Sequence, residues 1–356
     1  MIFGLWLAFG GLHLVLTIYL SVAFRNFKSL KNPNRPKLSV IIAAHNEAEN
    51  LKKLIPALQS QKYLDFEIIV ALDRTTDDSQ SYLIGLDRVN SLKIDKIPSD
   101  WNAKKYVLTE AIKHATGEWL VFTDADGYPS SKKWLRMMSQ QIDNETQIVL
   151  GVSPYTSGNS FLFQYISFEA FMTAFLYVSR AISNKPYMGV GRNMMINKAF
   201  FNRMGGYESI KSIQGGDDDL FIQQYANKSN TRIVLGNDAL IWTYPKSTWK
   251  AYFLQKLRHL SIGSKYKDRD LLFLTMLHTT HFGFLLLLFL NTSQLFFWPM
   301  LLFYLFIKLV SYRFAASKIG THINYMLLPL VDMLYAVLTP VIALWSKLVK
   351  DIPWKN

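Results

Sequence analysis

LSVIIAAHNEAENL, residues 38–51, is the stretch that decides the fold. Leu38 to Ala44 is a nearly continuous apolar run of strand length, and from Asn46 to Gln61 the apolar residues Leu51, Leu54, Ile55 and Leu58 recur at helical spacing. The chain repeats the alternation outward from there. Phe66 to Leu72 is a second strand-length run ending in Asp73, Tyr106 to Ala115 reads as a helix, and Trp119 to Thr123 is a third run ending in Asp124. Strands alternating with helices predict an α/β domain over a mostly parallel sheet. Ligands of such sheets sit outside the carboxyl ends of the strands. The residues there are Ala43 to Glu47, with His45 between them, then Asp73, and then Asp124 to Asp126.

Half of the 356 residues are apolar, and they gather at both ends of the chain. Residues 1–24 carry no formal charge until Arg25 and are long enough, at about 1.5 Å of rise per residue, to cross a bilayer. No basic segment precedes the run and it exceeds the roughly 7–15 residue core of a signal peptide, so it reads as an uncleaved anchor. Leu271–Leu290, Gln294–Val310 and Tyr325–Trp345 are three further long apolar runs, interrupted by His278, His281, Lys308 and Asp332. Residues 161–182 are also apolar enough to suggest a span. Glu169 and Arg180 lie within them, however, and a crossing there would separate Asp124 from Asp217, so a buried or interface-lying helix is expected. The predicted organisation is an anchor at 1–24, an α/β domain at 37–245, an amphipathic interface helix at 246–268 and membrane helices at 271–348.

Arg25, Lys28, Lys31, Arg35 and Lys37 follow the first run without an intervening acid, which places them and the α/β domain on the cytoplasmic side of a membrane. Three further full crossings would then leave Lys347, Lys350 and Lys355 outside, against the same tendency. Pro329 and Pro340 in the last run suggest a re-entrant or surface-lying hairpin as the resolution. The formal net charge of +13 lies largely beside the apolar runs, where anionic head groups rather than nucleic acid are the expected partner. The absence of cysteine excludes disulfides and cysteine-ligated metal sites.

Four constellations could carry chemistry. Asp124 and Asp126 leave a strand end with one residue between them, a hard-oxygen pair suited to Mg²⁺ or Mn²⁺ on a diphosphate. Lys104 opens a helix, where a cation beside the N-terminus can hold phosphate, although a solvated helix start has the same pattern. Asp217, Asp218 and Asp219 follow Gly215 and Gly216 and precede a helical pattern; mutual repulsion makes a usable base of one, and an acidic helix cap is the alternative. Gln255, Arg258 and His259 share one face of an amphipathic helix between Thr248 and Tyr266.

Taken in order, these elements resemble the family-2 inverting glycosyltransferases of the GT-A fold, in the membrane-integrated branch that includes ceramide glucosyl, cellulose and hyaluronan synthases. The resemblance covers residues 37–265. It implies that Ala43, His45, Glu47 and Asp73 lie against the nucleotide of a nucleotide-sugar donor, and that NAKKYVLTEAI (102–112) brings Lys104 near the diphosphate. TDADG (123–127) is similar to the D-x-D element, with Asp126 on a Mg²⁺ or Mn²⁺ ion and Asp124 shared between nucleotide and metal. GVGRNMMINKAF (189–200) implies that Gly189, Gly191, Arg192 and Asn193 surround sugar and acceptor. GGDDDLFI (215–222) makes Asp217 the general base, with Asp218 its rival because Gly216 replaces the usual acid. QKLRH (255–259) resembles Q-x-x-R-W, with His259 in place of tryptophan. The implied activity is transfer from a nucleotide-sugar, a UDP-sugar in the first instance, to a hydroxyl of a lipid or lipid-linked acceptor at the cytoplasmic face. A processive polysaccharide synthase and a non-catalytic nucleotide-sugar-binding membrane protein are the alternatives.

Overall fold

The computed structural model describes residues 1–156 and 158–349, so Lys350 and Lys355 of the basic tail lie outside the described residues. The chain divides into two compact units, each treated by itself. One holds Lys28–Thr156 and Ala181–Tyr244; the other holds the described residues of Met1–Phe27, Ser157–Arg180 and Pro245–Asn356.

The first unit is built on nine strands: β1 (Leu38–Ala44), β2 (Phe66–Asp73), β3 (Val89–Ile94), β4 (Trp119–Phe122), β5 (Gly127–Pro129), β6 (Ile148–Leu150), β7 (Met194–Asn197), β8 (Thr231–Ile233) and β9 (Ile241–Thr243). Seven form one sheet in the order β3-β2-β1-β4-β7-β6-β8, while β5 and β9 pair apart from it. The sheet is mostly parallel, and only β7 runs against its neighbours β4 and β6. Strands β1, β2 and β4 read as continuous apolar runs because both of their faces are covered, as parallel sheets require. Leu51, Leu54, Ile55 and Leu58, the stripe seen in sequence, bury the helix Ala48–Gln59 in the same core.

Register then fixes where the chemistry goes. Ala43 pairs with Ala71 and Ile41 with Phe122, so the parallel strands end together. His45, Asp73 and Asp124 leave one edge of the sheet as neighbours. The helix Ala103–His114 starts beside that edge, its N-cap Asn102 accepting from the Lys105 amide at 3.4 Å.

The second unit is helical, with Ile2–Ala23, Phe161–Ile182, Trp249–Ile262, Asp268–Leu288, Phe297–Ile319 and Leu328–Leu348. Among the described residues, five of these helices are long and apolar enough to cross a membrane, Phe161–Ile182 included. Its two ends return to the same α/β unit, where Lys104 touches both Asp124 and Asp217, so a single crossing by this helix is excluded. Its ionisable residues are instead buried in pairs, Glu169 with Lys256 and Arg180 with Asp270. The helices Ile2–Ala23 and Asp268–Leu288 cross through glycine: a Cβ on Gly10 would meet the Phe284 ring at 2.8 Å, and one on Gly283 the Phe9 ring at 2.9 Å.

One expectation changes here. The last apolar run is a single helix, Leu328–Leu348, rather than a hairpin. Pro329 lies in its first turn, where a missing N–H costs nothing, and the interior Pro340 does not break it. The polar interruptions of these runs converge. Lys308 Nζ lies 2.8 and 2.6 Å from the two Asp332 oxygens, His281 Nε2 lies 3.1 Å from Asp332, and the His13 ring stacks on His281 at 4.2 Å.

Candidate functional site

At the strand-end edge, the chain from β1 turns through Asn46 in a left-handed conformation (φ 53°), and its side-chain oxygen accepts from the Thr76 amide at 2.8 Å. Asp77 caps the next helix through the Ala48 amide at 2.9 Å. These bonds lock the loops after β1 and β2 together. His45 Nδ1 lies 2.6 Å from the Asp73 carbonyl; a carbonyl only accepts, so Nδ1 carries the proton. The Asp73 carboxylate accepts from Arg74 at 2.7 and 3.1 Å, and Glu47 accepts from the Asn50 amide at 2.6 Å. Ala43 is half-buried beneath them at the end of β1.

Lys104 joins the separate motifs. Its ammonium lies 3.2 Å from Asp124 and 3.0 Å from Asp217, residues 93 positions apart in sequence (217 − 124). Burial pulls this lysine down most strongly, but Asp124, Asp217 and Asp218 together outweigh it and hold the ammonium well above the ordinary lysine range. It is therefore a fixed cation between the D-x-D turn and the acid cluster. Its neighbour Lys105 points elsewhere and is wholly buried, donating to the carbonyls of Ile213 and Gly215 at 2.5 Å each. Burial takes its ammonium down to about 8 against the opposing pull of Asp217 and Asp218.

The two acids left open by the sequence have different surroundings. Asp218 accepts from the Gly191 amide at 2.6 Å and from the Asp219 amide at 2.8 Å, which makes it the cap of the helix Asp219–Tyr225 and the anchor of the Gly191 turn. Burial first, and Asp217 second, push its carboxyl up, while Lys104 and those two amides oppose the shift. A Cβ on Gly191 would stand 3.0 Å from Asp218 Oδ2, so a larger residue there would press on the contact. Asp217 is the acid of the pair that meets Lys104 directly.

Arg192 donates to Ser153 Oγ at 2.6 Å and lies over the Tyr155 ring at 5.5 Å. Burial opposes its charge most strongly, yet Tyr155, Asp124, Asp126 and Asp218 together raise it, so a second fixed cation faces the same carboxylates. Asn193 departs from expectation. It is fully buried and its amide is committed on both sides, donating to Val152 and Ala239 at 2.7 and 2.9 Å and accepting from Trp134 at 3.0 Å. That geometry makes it a clamp behind the site rather than a contact to sugar or acceptor. Gln255, Arg258 and His259 belong to the other unit, on the helix Trp249–Ile262, whose buried face carries Tyr252, Lys256 and Leu257.

No cluster of three or more potential ligands for a metal occurs among the described residues. A small divalent ion needs none, because it takes one or two carboxylates and completes its shell with water and substrate phosphates. The half-buried carboxylates of Asp124 and Asp126, two residues apart in one turn, are a donor set that fits. Sequence reasoning placed Lys105 only beside Lys104 at the helix start, and missed Ser153, Tyr155 and Trp134. None has a local signal, since each acts through a partner distant in the chain.

Residues 39–205 match the model of the glycosyl transferase family 2. The chain is 34% identical over 95 residues to the GalNAc(5)-diNAcBac-PP-undecaprenol beta-1,3-glucosyltransferase of Campylobacter jejuni, covering 26% of this chain and 30% of that one. It is 24% identical over 238 residues to the probable glycosyltransferase YdaM of Bacillus subtilis, covering 63% and 54%. The chain thus spans about a third to a half of the length of these relatives. The solved structure of a mannosyltransferase from Pyrobaculum calidifontis, in complex with GDP-Man and Mn²⁺, superposes with a TM-score of 0.65 over 98% of this chain and 100% of that one, at 17% identity, a likeness of fold. The sheet, the order of its strand-end acids and the matched family model agree: this chain carries a glycosyltransferase family-2 domain of the GT-A fold.

Proposed function

We propose that the chain transfers a sugar from a nucleotide-sugar donor to a hydroxyl of a lipid or lipid-linked acceptor, with inversion at the anomeric carbon. The observation that carries this reading is the bridge from Lys104 to both Asp124 and Asp217, which brings the donor-side and acceptor-side motifs to one ammonium. Asp217 takes the proton of the acceptor hydroxyl as that oxygen bonds to the anomeric carbon. The bond from that carbon to the phosphate oxygen breaks, and the nucleoside diphosphate leaves with the electron pair. Base assistance of this kind is worth about 10²–10⁴ in rate. Lys104 and Arg192 present fixed positive charge to the leaving diphosphate.

Asp126, with Asp124, would hold Mg²⁺ or Mn²⁺, which supplies Lewis-acid charge neutralisation on a diphosphate when bound. Ala43, His45, Glu47 and Asp73 form the nucleotide side, with a UDP-sugar the first candidate and GDP-mannose, the ligand of the Pyrobaculum calidifontis structure, the second. Gly191 and Arg192 are assigned to the acceptor side. Gln255, Arg258 and His259 keep the diphosphate and acceptor role that the motif implies. A lipid-linked acceptor is favoured by the undecaprenol-linked substrate in the name of the Campylobacter relative and by the apolar helices of this chain. The basic segment Arg25 to Lys37 favours the cytoplasmic face.

The test is release of nucleoside diphosphate by the full-length protein in detergent, with Mn²⁺ or Mg²⁺, UDP- and GDP-sugars and a lipid extract, beside Asp217→Asn. Metal-dependent release that the variant loses is the expected result. Donor binding with no release from any pair would overturn the enzymatic reading in favour of a non-catalytic binding protein.

A further inference from the structure

Two adjacent lysines open the helix Ala103–His114, and only Lys104 is absorbed by the reaction proposed above. Lys105 is the harder of the two to explain as a bystander. A lysine with no exposed surface has given up its hydration, and its two hydrogen bonds at 2.5 Å go to backbone carbonyls, those of Ile213 and Gly215. Both carbonyls belong to the loop that delivers Asp217.

That loop carries backbone freedom that the fold must remove. Gly215 and Gly216 both take left-handed conformations, φ 75° and 72°, and glycine is the residue that leaves the most backbone freedom to be removed. The loop is tied to the start of the helix at three points: the Asn102 amide donates to the Lys211 carbonyl at 2.6 Å, and Lys105 binds on either side of Gln214. Immediately beyond the second Lys105 contact the chain passes through Gly216 to Asp217, whose carboxylate meets Lys104. One lysine addresses the carboxylate and the next addresses the backbone that aims it.

We propose that Lys105 is a positioning residue for sugar transfer: by clamping the Ile213 and Gly215 carbonyls it sets the direction from which Asp217 approaches the acceptor hydroxyl. The inference rests on the reading of Asp217 as the base. Losing the clamp misdirects the proton acceptor while the nucleotide side, built on the loops after β1 and β2, stays as it is. The consequence is a loss in kcat with donor affinity retained.

The experiment compares wild type, Lys105→Met, Lys105→Arg and Asp217→Asn, each as the full chain in detergent, measuring kcat, KM for the donor, donor dissociation constant and thermal midpoint. The expected result is a 10- to 100-fold fall in kcat for Lys105→Met with the donor constants within threefold, and partial recovery in Lys105→Arg, whose guanidinium can still donate to two carbonyls. Unchanged kcat in Lys105→Met, or a parallel loss of kcat and donor binding, overturns the inference. Should Lys105→Met not fold, Gly216→Ala strains the same loop through its left-handed φ of 72° while leaving Lys105 in place: a loss confined to kcat supports the clamp and an unaltered kcat overturns it. The two readings fail differently. An Asp217→Asn enzyme as active as wild type removes the base and the positioning role with it, whereas a dead Asp217→Asn beside a fully active Lys105→Met removes the positioning role alone.

Discussion

Lys104 and Lys308 both meet carboxylates, and they do so under opposite conditions. Lys104, in the α/β unit, has a side chain 26% exposed, beside Asp124 at 34% and Asp217 at 10%; Lys308, in the helical unit, is 2% exposed, beside Asp332 at 6% and His281 at 1%. Stoichiometry differs as well. Lys104 feels Asp124, Asp217 and Asp218, so acid exceeds base around it, whereas Lys308 takes both oxygens of one aspartate and the group closes on itself. An open, acid-rich network has charge left over for a ligand. A closed one in apolar helices has none, and opening it would leave an ion in a medium that does not solvate ions. The same pair of residue types thus belongs to the proposed site in one unit and braces three helices in the other.

The largest effect is expected where the closed group is half removed. Lys308→Met leaves Asp332 buried without its cation, a change that costs about 3–5 kcal/mol in buried pairs, while Lys308→Met with Asp332→Leu recovers most of that loss. Thermal unfolding in detergent measures both, and turnover per folded molecule stays within about twofold. If the double variant were as unstable as the single one, or if the folded protein lost turnover, the helical network would be more than a brace.

Lys104→Met comes next and inverts the pattern. Removing one fixed charge from a developing anion costs about 10²–10³ in turnover, with the thermal midpoint little altered because the site is partly open to water. Nucleoside diphosphate release reads the first and a melting curve the second. Unaltered turnover would remove Lys104 from the reaction. Gly191→Ala is smaller: its methyl would crowd Asp218 Oδ2 at 3.0 Å and displace the anchor of that turn, a local strain worth about 1–2 kcal/mol and measured in turnover and melting together.

These differences mark how far the sequence could be read. Strands β1, β2 and β4 were legible because burial on both faces leaves an unbroken apolar run. Strand β3 was not, since at the sheet edge Asn90, Ser91 and Lys93 are exposed and break the pattern. Strands β6, β8 and β9 have three residues each, too few for any period to appear. Site acids were legible by their places at strand ends and before a helix. What they touch was not. Asn193 lies in a segment whose motif points to the acceptor, but the partners that commit its amide are 41, 46 and 59 residues away. Lys104 and Lys105 are identical letters; about 100° of helical rotation sends one to carboxylates and the other to carbonyls.

Exposure and stoichiometry vary together between the two lysine networks, and a third pair separates them. Arg232 donates through Nε and Nη2 to one Asp143 oxygen at 2.9 and 2.8 Å, with side chains 22% and 35% exposed. Apart from the exposed Glu145 at 3.8 Å, it is nearly as closed in stoichiometry as the Lys308 pair but as open to water as the Lys104 group. If exposure sets the energy, Arg232→Met costs only about 0.2–1 kcal/mol, as exposed pairs do; if closure sets it, the loss approaches that of Lys308→Met. The pH dependence adds a check on the same pair. Burial pushes the Asp143 carboxyl up, but Thr146 and Arg232 outweigh it and hold the group below the ordinary carboxylate range. A depressed carboxylate contributes stability above its unfolded pKa and loses it as pH falls through the folded one. The difference between wild type and Arg232→Met is therefore constant near neutrality and fades below about pH 4. A gap that survived in acid would mean that Arg232 acts through its bonds to the Ser229 and Thr231 carbonyls rather than through Asp143.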